Sequence, residues 1–448
     1  MIGAEKVAAL RGALERAGAR EWEIYYEEER ELLVEVQDGE VDAYESAAPA
    51  GAGVRVLDGG RMGFAYTTDF GGDAVRFVAE TACAAAAAAD VEQELSLPGR
   101  DEIGALPETQ TVDRGLRDVS TEQKIESARV LEQSALAASA RVARARKASY
   151  GEAWARWRLV SSRGLDLGDE ATIVHCDVMA VAELEEEEQL GWDAQVGHFY
   201  RELDFATCGR TAGERAAAML GADTVPTGRY AVVLEPQVVA EILDVATEWL
   251  LGESVAKKRS LLAGREGQRV AGEAVTIVDD GTHPRGAATS RFDGEGMPRR
   301  RTVIIENGVL RGFLYDRLWA KKCGRATTGN SDRAGFRGAP GLGPSNLMVL
   351  PGAGGDARAL DRAMGEGIRI AELIGVHTAD PISGDFSVGM TGQLIRGGEV
   401  AGPVAGVTVA GNLLGLLDAV RTVGSDLRFF GSTGAPSLLI AGLDIAGE

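Results

Sequence analysis

The stretch TVIIENGVLRGFLYD, residues 302–316, sets the character of the C-terminal half of this 448-residue chain. Apolar and polar side chains alternate on both sides of Asn307-Gly308. An Asn-Gly pair tolerates the positive φ angles of a type I′ turn, so the pattern predicts a β-hairpin. We therefore expect the surrounding fold to be rich in antiparallel strands.

Beyond the hairpin lies a segment rich in glycine and proline, TTGNSDRAGFRGAPGLGPSNLMVLPG, residues 327–352. This glycine-rich segment contains neither the P-loop pattern nor the G-x-G-x-x-G turn of dinucleotide sites. Near its end it leads into LMVL, which predicts a strand and not the helix N-terminus that binds phosphate. A long surface loop is one interpretation. A functional segment is the other, because loops of this length are uncommon inside compact domains.

The rest of the C-terminal half alternates strand patterns with glycine turns. GRYAVVLEP predicts a strand that ends at a proline, and PQVVAEILDVATEWLLGES has apolar residues at the spacing of a helix. Strand-rich sequence follows in GDFSVGMTGQLIRGGEVAGPVAGVTVAGN and DLRFFGSTGAPSLLIAGLDIAG. We predict one large, barrel-like mixed β domain over residues 227–448.

The N-terminal half predicts two smaller α+β units with antiparallel sheets. The first, residues 1–97, has a helix, a hairpin at Asp38-Gly39, two further strands and a second helix. The second, residues 119–222, has a similar outline, and its first helix begins at a capping pattern around Ser120. Proline, glycine and charge in residues 98–118 predict a linker. The fold class is α+β.

The overall charge and the cysteines exclude several classes of protein. With 47 basic and 68 acidic residues the net charge is −21, so direct binding of nucleic acid is not expected. The 4 cysteines show no C-x-x-C spacing, which disfavours a zinc ribbon and a disulfide framework. The charged N-terminal helix differs from a signal peptide, and no apolar run approaches membrane-spanning length. We expect a cytoplasmic protein without membrane contact.

The residues that could carry chemistry form no self-sufficient motif. No H-E-x-x-H pattern includes any of the histidines, which are His175, His198, His283 and His377. Asp293 and Glu295 in RFDGEG have the spacing of an acid and base pair, with turn formation as the alternative. Ser387 lies in GDFSVG and not in a G-x-S-x-G elbow, so a turn hydroxyl is the preferred interpretation.

Several motifs together resemble the third domain of the TldD/PmbA family. They are GESVAKKRSLLAGREGQRV, VDDGTHPRGAATSRFDGEGMPRRR, ATTGN with PSNLMVLPG, ISGDFSVGMTGQLIRGG and FFGSTGAPSLLIAGLDIAG. GVRVLDGGRMGFAYTTD and SSRGLDL resemble the first and second domains. The resemblance implies a cytoplasmic metalloprotease system of bacteria or archaea. In it a zinc-bearing TldD-type subunit pairs with a TldE (PmbA) subunit into a hollow dimer that cleaves unfolded or small peptides.

The metal positions of the family distinguish its two types of subunit. TldD-type subunits bind zinc through both histidines of an H-E-x-x-x-H helix and a cysteine near the C-terminus. The similar helix here carries Leu243, Asp244 and Glu248, and the cysteine region carries Gly-Ser-Thr at residues 431–433. These side chains cannot replace two imidazoles and a thiolate. The resemblance thus implies a zinc-free TldE/PmbA type, without catalytic residues, metal ligands or cofactor, and with the zinc in its partner.

The glycine-rich segment resembles the part of the family that lines the substrate channel. There an extended peptide is held by main-chain hydrogen bonds, as an added strand. Asn330 and Asn346 each offer a donor and an acceptor to such a peptide; the alternative is that they satisfy the backbone of their own loop. The expected substrate-binding set is Asn330, Asn346, Asp293, Glu295, Asp385 and Ser387.

The expected function is that of a subunit that forms the chamber wall and binds peptide beside a TldD-type partner. One alternative is a homodimeric binding or scaffolding protein. Another is a zinc-independent hydrolase of peptide or antibiotic maturation that uses Asp293, Glu295 or Ser387. The family's description as a modulator of DNA gyrase suggests a topoisomerase partner, but the acidic charge disfavours direct contact with DNA.

Overall fold

The computed structural model describes residues 2–380 and 382–447. The first part of the chain contributes two helices and four strands: α1 (Ala4–Arg16), β1 (Glu21–Gln37), β2 (Glu40–Ala47), β3 (Ala50–Asp58), β4 (Arg61–Thr67) and α2 (Gly72–Ala88). The predicted hairpin between β1 and β2 is present. Its turn residues Asp38 and Gly39 have φ angles of 54° and 77°, as a type I′ turn requires.

The second part adds two helices and three longer strands: α3 (Thr121–Ala137), β5 (Val142–Ser161), β6 (Asp166–Leu184), β7 (Glu187–Gly197) and α4 (Phe205–Ala218). The predicted cap of α3 is confirmed. The Ser120 side chain accepts from the Gln123 amide, and the Gln123 side chain accepts from the Ser120 amide. This reciprocal pair satisfies two backbone donors that the helix leaves free.

The two predicted N-terminal units share a single antiparallel sheet. β1 pairs with β5 over most of its length, from Glu23 opposite Ser161 to Val36 opposite Ala148. The strand order is β4-β3-β1-β5-β6-β7, and β2 also pairs with β1. Since β1 has 17 residues and β5 has 20, each strand is long enough to serve both units. The sheet joins the units edge to edge.

One face of this sheet carries both pairs of helices. Ile24 and Tyr26 of β1 belong to the core beneath α1 and α2, whereas Val34 and Val36 belong to the core beneath α3 and α4. These are alternate residues of one strand, so they point to the same face. Between the two cores this face carries charged residues such as Glu28 and Arg156, which form an ion pair. The helix layer is therefore interrupted at its centre.

The C-terminal part contributes the remaining elements: β8 (Gly228–Leu234), α5 (Pro236–Leu250), α6 (Gly252–Ala256), β9 (Ile277–Asp280), β10 (Arg301–Glu306), β11 (Val309–Leu310), α7 (Arg317–Lys322), β12 (Ser331–Asp332), β13 (Gly341–Leu342), β14 (Leu347–Val349), α8 (Ala357–Met364), β15 (Gly367–Ile374), β16 (Asp385–Arg396), β17 (Glu399–Asn412), α9 (Leu413–Asp418), β18 (Val420–Val423), β19 (Arg428–Phe430), β20 (Thr433–Ala435) and β21 (Leu438–Ala446). Strands β17, β16, β15, β8 and β21 pair in this order, and β17 also pairs with β21, which closes the five strands into a barrel. The barrel-like α+β prediction is confirmed.

A second sheet, β11-β10-β9-β14-β20-β19, lies beside the barrel. It contains the predicted hairpin, with φ angles of 49° at Asn307 and 78° at Gly308. The second strand of this hairpin, β11, is much shorter than the sequence pattern predicts. Leu314 instead exchanges main-chain hydrogen bonds with Leu250 and Gly252. The chain thus leaves the sheet to pair with the end of α5.

The opposite face of the N-terminal sheet packs against loops of the C-terminal part. Tyr25 and Leu159 form one buried cluster with Phe292 and Phe336. The glycine-rich segment is therefore placed between the two halves of the chain. None of the helices within residues 2–380 and 382–447 combines the length and the apolar composition that a membrane crossing requires.

Candidate functional site

Helix α5 and strand β20 bring together the two regions that resemble the zinc-binding positions. The Thr433 hydroxyl donates to Asp244 Oδ1 at 2.5 Å. Burial raises the pKa of Asp244, and this hydrogen bond opposes the rise. Glu248, one helical turn away, accepts from the Ser254 hydroxyl at 2.9 Å and lies 3.4 Å from an Arg259 nitrogen. Both carboxylates are therefore engaged by neighbouring side chains.

The donor set at this position does not fit a zinc ion. Leu243, at the first histidine position, is buried and has no ligand atom. Thr433 supplies a neutral hydroxyl where a thiolate would be needed. In the part of the chain that the structure describes, no three His, Cys, Asp or Glu side chains are grouped closely enough to hold a metal ion.

Asn330 lies in the interior, with its amide fully used by the protein. Its Nδ2 donates to Asp279 Oδ2 at 2.7 Å and to the Gly343 carbonyl at 3.2 Å, and its Oδ1 accepts from the Thr328 hydroxyl. Ser345 donates to the same Asp279 carboxylate through its amide and its hydroxyl. Burial raises the pKa of Asp279 in spite of these hydrogen bonds. The network closes the glycine-rich segment onto β9.

Asn346 is equally buried and is bound to the preceding loop. Its Nδ2 donates to the Asp280 carbonyl at 2.8 Å and to the Thr289 hydroxyl at 2.9 Å, and its Oδ1 accepts from the Ala288 amide. A Cβ atom at Gly286 would lie 2.2 Å from its amide carbon. The geometry of both asparagines thus favours the alternative that they organise their own loops.

Asp293 and Glu295 are also buried and serve the turn that contains them. Asp293 accepts from the amides of Glu295 and Met297 at 2.9 Å and from the amide of Ser331 at 3.0 Å. Burial raises its pKa to about 6. Glu295 pairs with Arg55 at 3.2 Å. The structure thus supports the turn-forming interpretation of RFDGEG.

Arg55 connects this turn to the N-terminal sheet. It also pairs with Glu23 at 2.9 Å, and Arg333 of the glycine-rich segment binds the other Glu23 oxygen. Burial raises the pKa of nearby Asp316 to about 7, and Asp316 caps α7 by accepting from the Trp319 amide. We call Glu23, Arg55, Asp293, Glu295, Asp316 and Arg333 the buried charge cluster.

The glycine-rich segment is held tightly against the sheet. The Arg333 guanidinium lies 5.0 Å from the centre of the Tyr25 ring, and its Nε donates to the Gly294 carbonyl at 2.6 Å. The Phe336 amide donates to Glu27 at 3.0 Å. A Cβ atom at Gly51 would lie 2.2 Å from the Phe336 ring, so β3 needs glycine there.

Asp385 and Ser387 are separated in the fold from the buried charge cluster. Both are exposed residues of barrel strand β16. Asp385 accepts from Asn412 Nδ2 at 2.8 Å. Across residues 2–380 and 382–447, no hydrogen bond links Ser387 to an acid or a base. The structure brings Asn330 and Asp293 together through Ser331, whereas Asp385 and Ser387 lie apart from them in the barrel.

Two important residues of the site were not expected from the sequence. Arg55 stands between Val54 and Val56, an alternation that is typical of a strand with one exposed face, so the sequence does not indicate that Arg55 is buried. Asp279 follows the short apolar run Ile277-Val278, which gives no sign of its partners either. Their partners are distant in sequence, so only the folded chain identifies them.

Together the fold and the site define a three-part α+β protein in which a closed barrel and a buried amide and carboxylate network lie beside one sheet. Sequence models of the PmbA/TldA metallopeptidase C-terminal domain, domain 1 and central domain match residues 227–447, 22–86 and 114–220. The chain belongs to this PmbA/TldD metallopeptidase family.

Known relatives cover most of the chain. A metalloprotease of Methanothermobacter thermautotrophicus is 30% identical over 404 residues, 88% of this chain and 85% of that protein. A Thermotoga maritima structure described as a candidate modulator of a DNA gyrase has a TM-score of 0.89 at 28% identity and covers 99% of this chain and 100% of its own. A crystal structure of TldE from Thermococcus kodakarensis has a TM-score of 0.89 at 23% identity and covers 98% of this chain and 100% of its own. At this identity the similarity shows the fold alone.

Proposed function

We propose that this chain is the zinc-free, TldE/PmbA-type subunit of a cytoplasmic metallopeptidase complex whose TldD-type partner carries the zinc. The observation that supports this most is the contact between α5 and β20. There Leu243 and Glu248 stand at the two positions that resemble the ligand histidines, and Asp244 beside Leu243 is hydrogen-bonded to Thr433, in the region that resembles the cysteine ligand. A chain with these side chains lacks the imidazoles and thiolate that activate water at a zinc centre.

The proposed role of the chain is to form one wall of the chamber and to hold an extended peptide there. The amides of Asn330 and Asn346 are used internally. We therefore assign them to shaping the glycine-rich segment, and we assign peptide contact to its main chain. Glycines permit the close backbone approach that an added strand needs.

The test is zinc content and peptidase activity, measured on the purified chain alone and after mixing with a TldD-type subunit from the same organism. We expect the chain alone to be zinc-free and inactive, and the mixture to cleave unfolded peptides. A mixture whose TldD-type subunit lacks both zinc-binding histidines is the control and should be inactive.

Three outcomes would contradict the proposal. Stoichiometric zinc in the isolated chain would show that a ligand set exists elsewhere. Chelator-resistant hydrolysis by the chain alone would favour a zinc-independent hydrolase. A stable homodimer that neither binds nor activates the TldD-type subunit would favour the stand-alone scaffold.

A further inference from the structure

A large cavity lies beside β6, at the end of this strand that does not pair with β7. Its volume is about 700 Å³, and the linker, β5, β6 and the C-terminal loop at Arg291 all contribute to its wall. Cavities of roughly 300–1,000 Å³ accommodate small ligands. No residue of the proposed peptide chamber lies in this wall, so the cavity is a separate feature.

One wall of the cavity is an extended stretch of the linker that lies beside β6. The Thr172 amide donates to the Thr111 carbonyl at 2.7 Å, and the Asp113 amide donates to the Thr172 hydroxyl at 2.8 Å. Strand β7 begins to pair with β6 only at Val174, opposite Gly197. The linker thus takes the place of β7 at this end of β6.

The outer edge of this stretch is unpaired. In an extended chain successive peptide groups point to opposite sides. Because the Thr111 carbonyl faces β6, the main-chain groups of Gln110 and Val112 face away from it. Within the described ranges, neither residue makes a main-chain hydrogen bond, and both line the cavity. A free edge of this kind can accept an additional strand.

Among the described residues, one cation of the wall, Arg291, has no carboxylate within ion-pair distance of its guanidinium, although its charge also acts on the nearby Asp169. Arg156 pairs with Glu28, and Arg114 lies 3.4 Å from Glu170. Arg291 uses its amide to bind Asp169 and its Nε to bind the Pro107 carbonyl, at 2.7 and 3.4 Å. In the described part of the chain, its two terminal nitrogens form neither a hydrogen bond nor an ion pair.

We propose that this cavity binds the C-terminal end of an extended peptide. The peptide main chain pairs with Gln110 and Val112, and its terminal carboxylate binds the Arg291 guanidinium. An arginine fork matches a carboxylate in shape and charge. Phe199, which also lines the cavity, supplies an apolar surface for a peptide side chain. The site requires neither zinc nor a partner subunit, so it stands apart from the proposed function.

The test is direct binding of N-acetylated tetrapeptides to the full chain, measured by titration calorimetry without any partner subunit. Peptides that end in alanine, phenylalanine or lysine are compared as free acids and as C-terminal amides. We expect at least one free acid to bind, and amidation to weaken it by about tenfold or more, because a charge-assisted hydrogen bond is lost. Equal binding of acid and amide, or no binding by any peptide, would overturn the proposal.

A charge-removing variant localises the carboxylate. Arg291→Gln keeps the main-chain bond to Asp169 and should abolish the difference between acid and amide. Arg291→Lys keeps the charge and should retain part of the difference. Arg76→Gln, on an exposed face of α2, is the matched control and should bind as the unchanged chain does. If Arg291→Gln still prefers the acid, the carboxylate binds elsewhere and the assignment is wrong. Thermal unfolding verifies that each variant is folded.

Discussion

At the scale of single residues, the most consequential interactions are those of Arg55. Its guanidinium lies between Glu23 and Glu295, and all three side chains are nearly inaccessible to solvent. Arg55→Ala leaves two buried carboxylates without this partner, and removing one member of a buried pair typically costs about 3–5 kcal/mol. We expect urea unfolding to register a loss of this size. Arg11→Ala removes an exposed pair with Glu15 and should change stability by less than about 1 kcal/mol; similar losses for both would contradict the prediction.

The titration of Asp293 gives a second prediction at this scale. Burial raises its pKa from 3.8 to about 6. Between these pH values the folded chain holds a proton that the unfolded chain has released, so a rise in pH favours unfolding. The stability lost amounts to about 3 kcal/mol at most, at 1.36 kcal/mol per pKa unit.

Asp293→Asn cannot titrate and should escape this loss. Urea unfolding at intervals from pH 4 to pH 7 is the measurement. The unfolding free energy of the unchanged chain should fall relative to that of Asp293→Asn as the pH rises to 6, and the gap should then stay constant. Parallel curves across the range would mean that Asp293 is ionised in the folded chain throughout.

At the scale of elements, we expect substitutions on the two sides of the contact between β3 and the glycine-rich segment to have non-additive effects on stability. Gly51→Ala places a methyl group 2.2 Å from the Phe336 ring and should destabilise the chain. Phe336→Ala leaves a cavity and should cost about 3–5 kcal/mol. In the double variant the methyl group has room, so its loss should be smaller than the sum of the two.

The control for this cycle is another strand glycine. Gly402→Ala, in β17, has no atom within 4 Å of the added Cβ and should be nearly neutral, alone or with Phe336→Ala. Chemical unfolding of the four chains and two controls gives the coupling energy. Strict additivity of Gly51→Ala and Phe336→Ala would mean that the two residues do not touch in solution.

Elements that depend on neighbouring residues were predictable from the sequence. The hairpin turns at Asp38-Gly39 and Asn307-Gly308 and the cap at Ser120 depend on a few residues each. The pairing of β1 with β5 was not predictable, since it joins positions far apart in the chain and both edges are compatible with other partners. The same distance hid the partners of Glu295, because Arg55 lies in another unit.

In the candidate site, too, local features were predictable from the sequence and contacts between distant residues were not. The patterns around Asn330, Asn346 and Asp293 drew attention to three side chains that are buried and hydrogen-bonded within the chain. Whether an amide faces a substrate or its own loop depends on packing, which the sequence does not encode locally. Asp279 illustrates this, since three donors, the Asn330 side-chain amide and the main-chain amide and hydroxyl of Ser345, converge on it only after β9 and the glycine-rich segment have come together.

At the scale of the whole molecule, the shared sheet decides which parts of the chain can fold alone. Residues 1–97 would expose the entire β1 edge that pairs with β5, along with the apolar face beneath the C-terminal loops. Such an edge promotes aggregation. Residues 227–448 contain a closed barrel with its own large core. We therefore expect the C-terminal fragment to unfold cooperatively by itself, and residues 1–97 to be aggregated or unfolded.

Residues 1–222 supply the matched comparison, because they restore β5 and the remaining strands of the sheet to the same N-terminal sequence. This longer fragment should recover cooperative unfolding by circular dichroism, with slow exchange of the β1 amides that bind β5. A soluble, cooperatively folded fragment 1–97 would mean that its helices and four strands suffice, and that the junction with β5 is an accessory contact. Recovery only in the longer fragment would make the sheet, and not either unit, the folding unit of this half of the molecule.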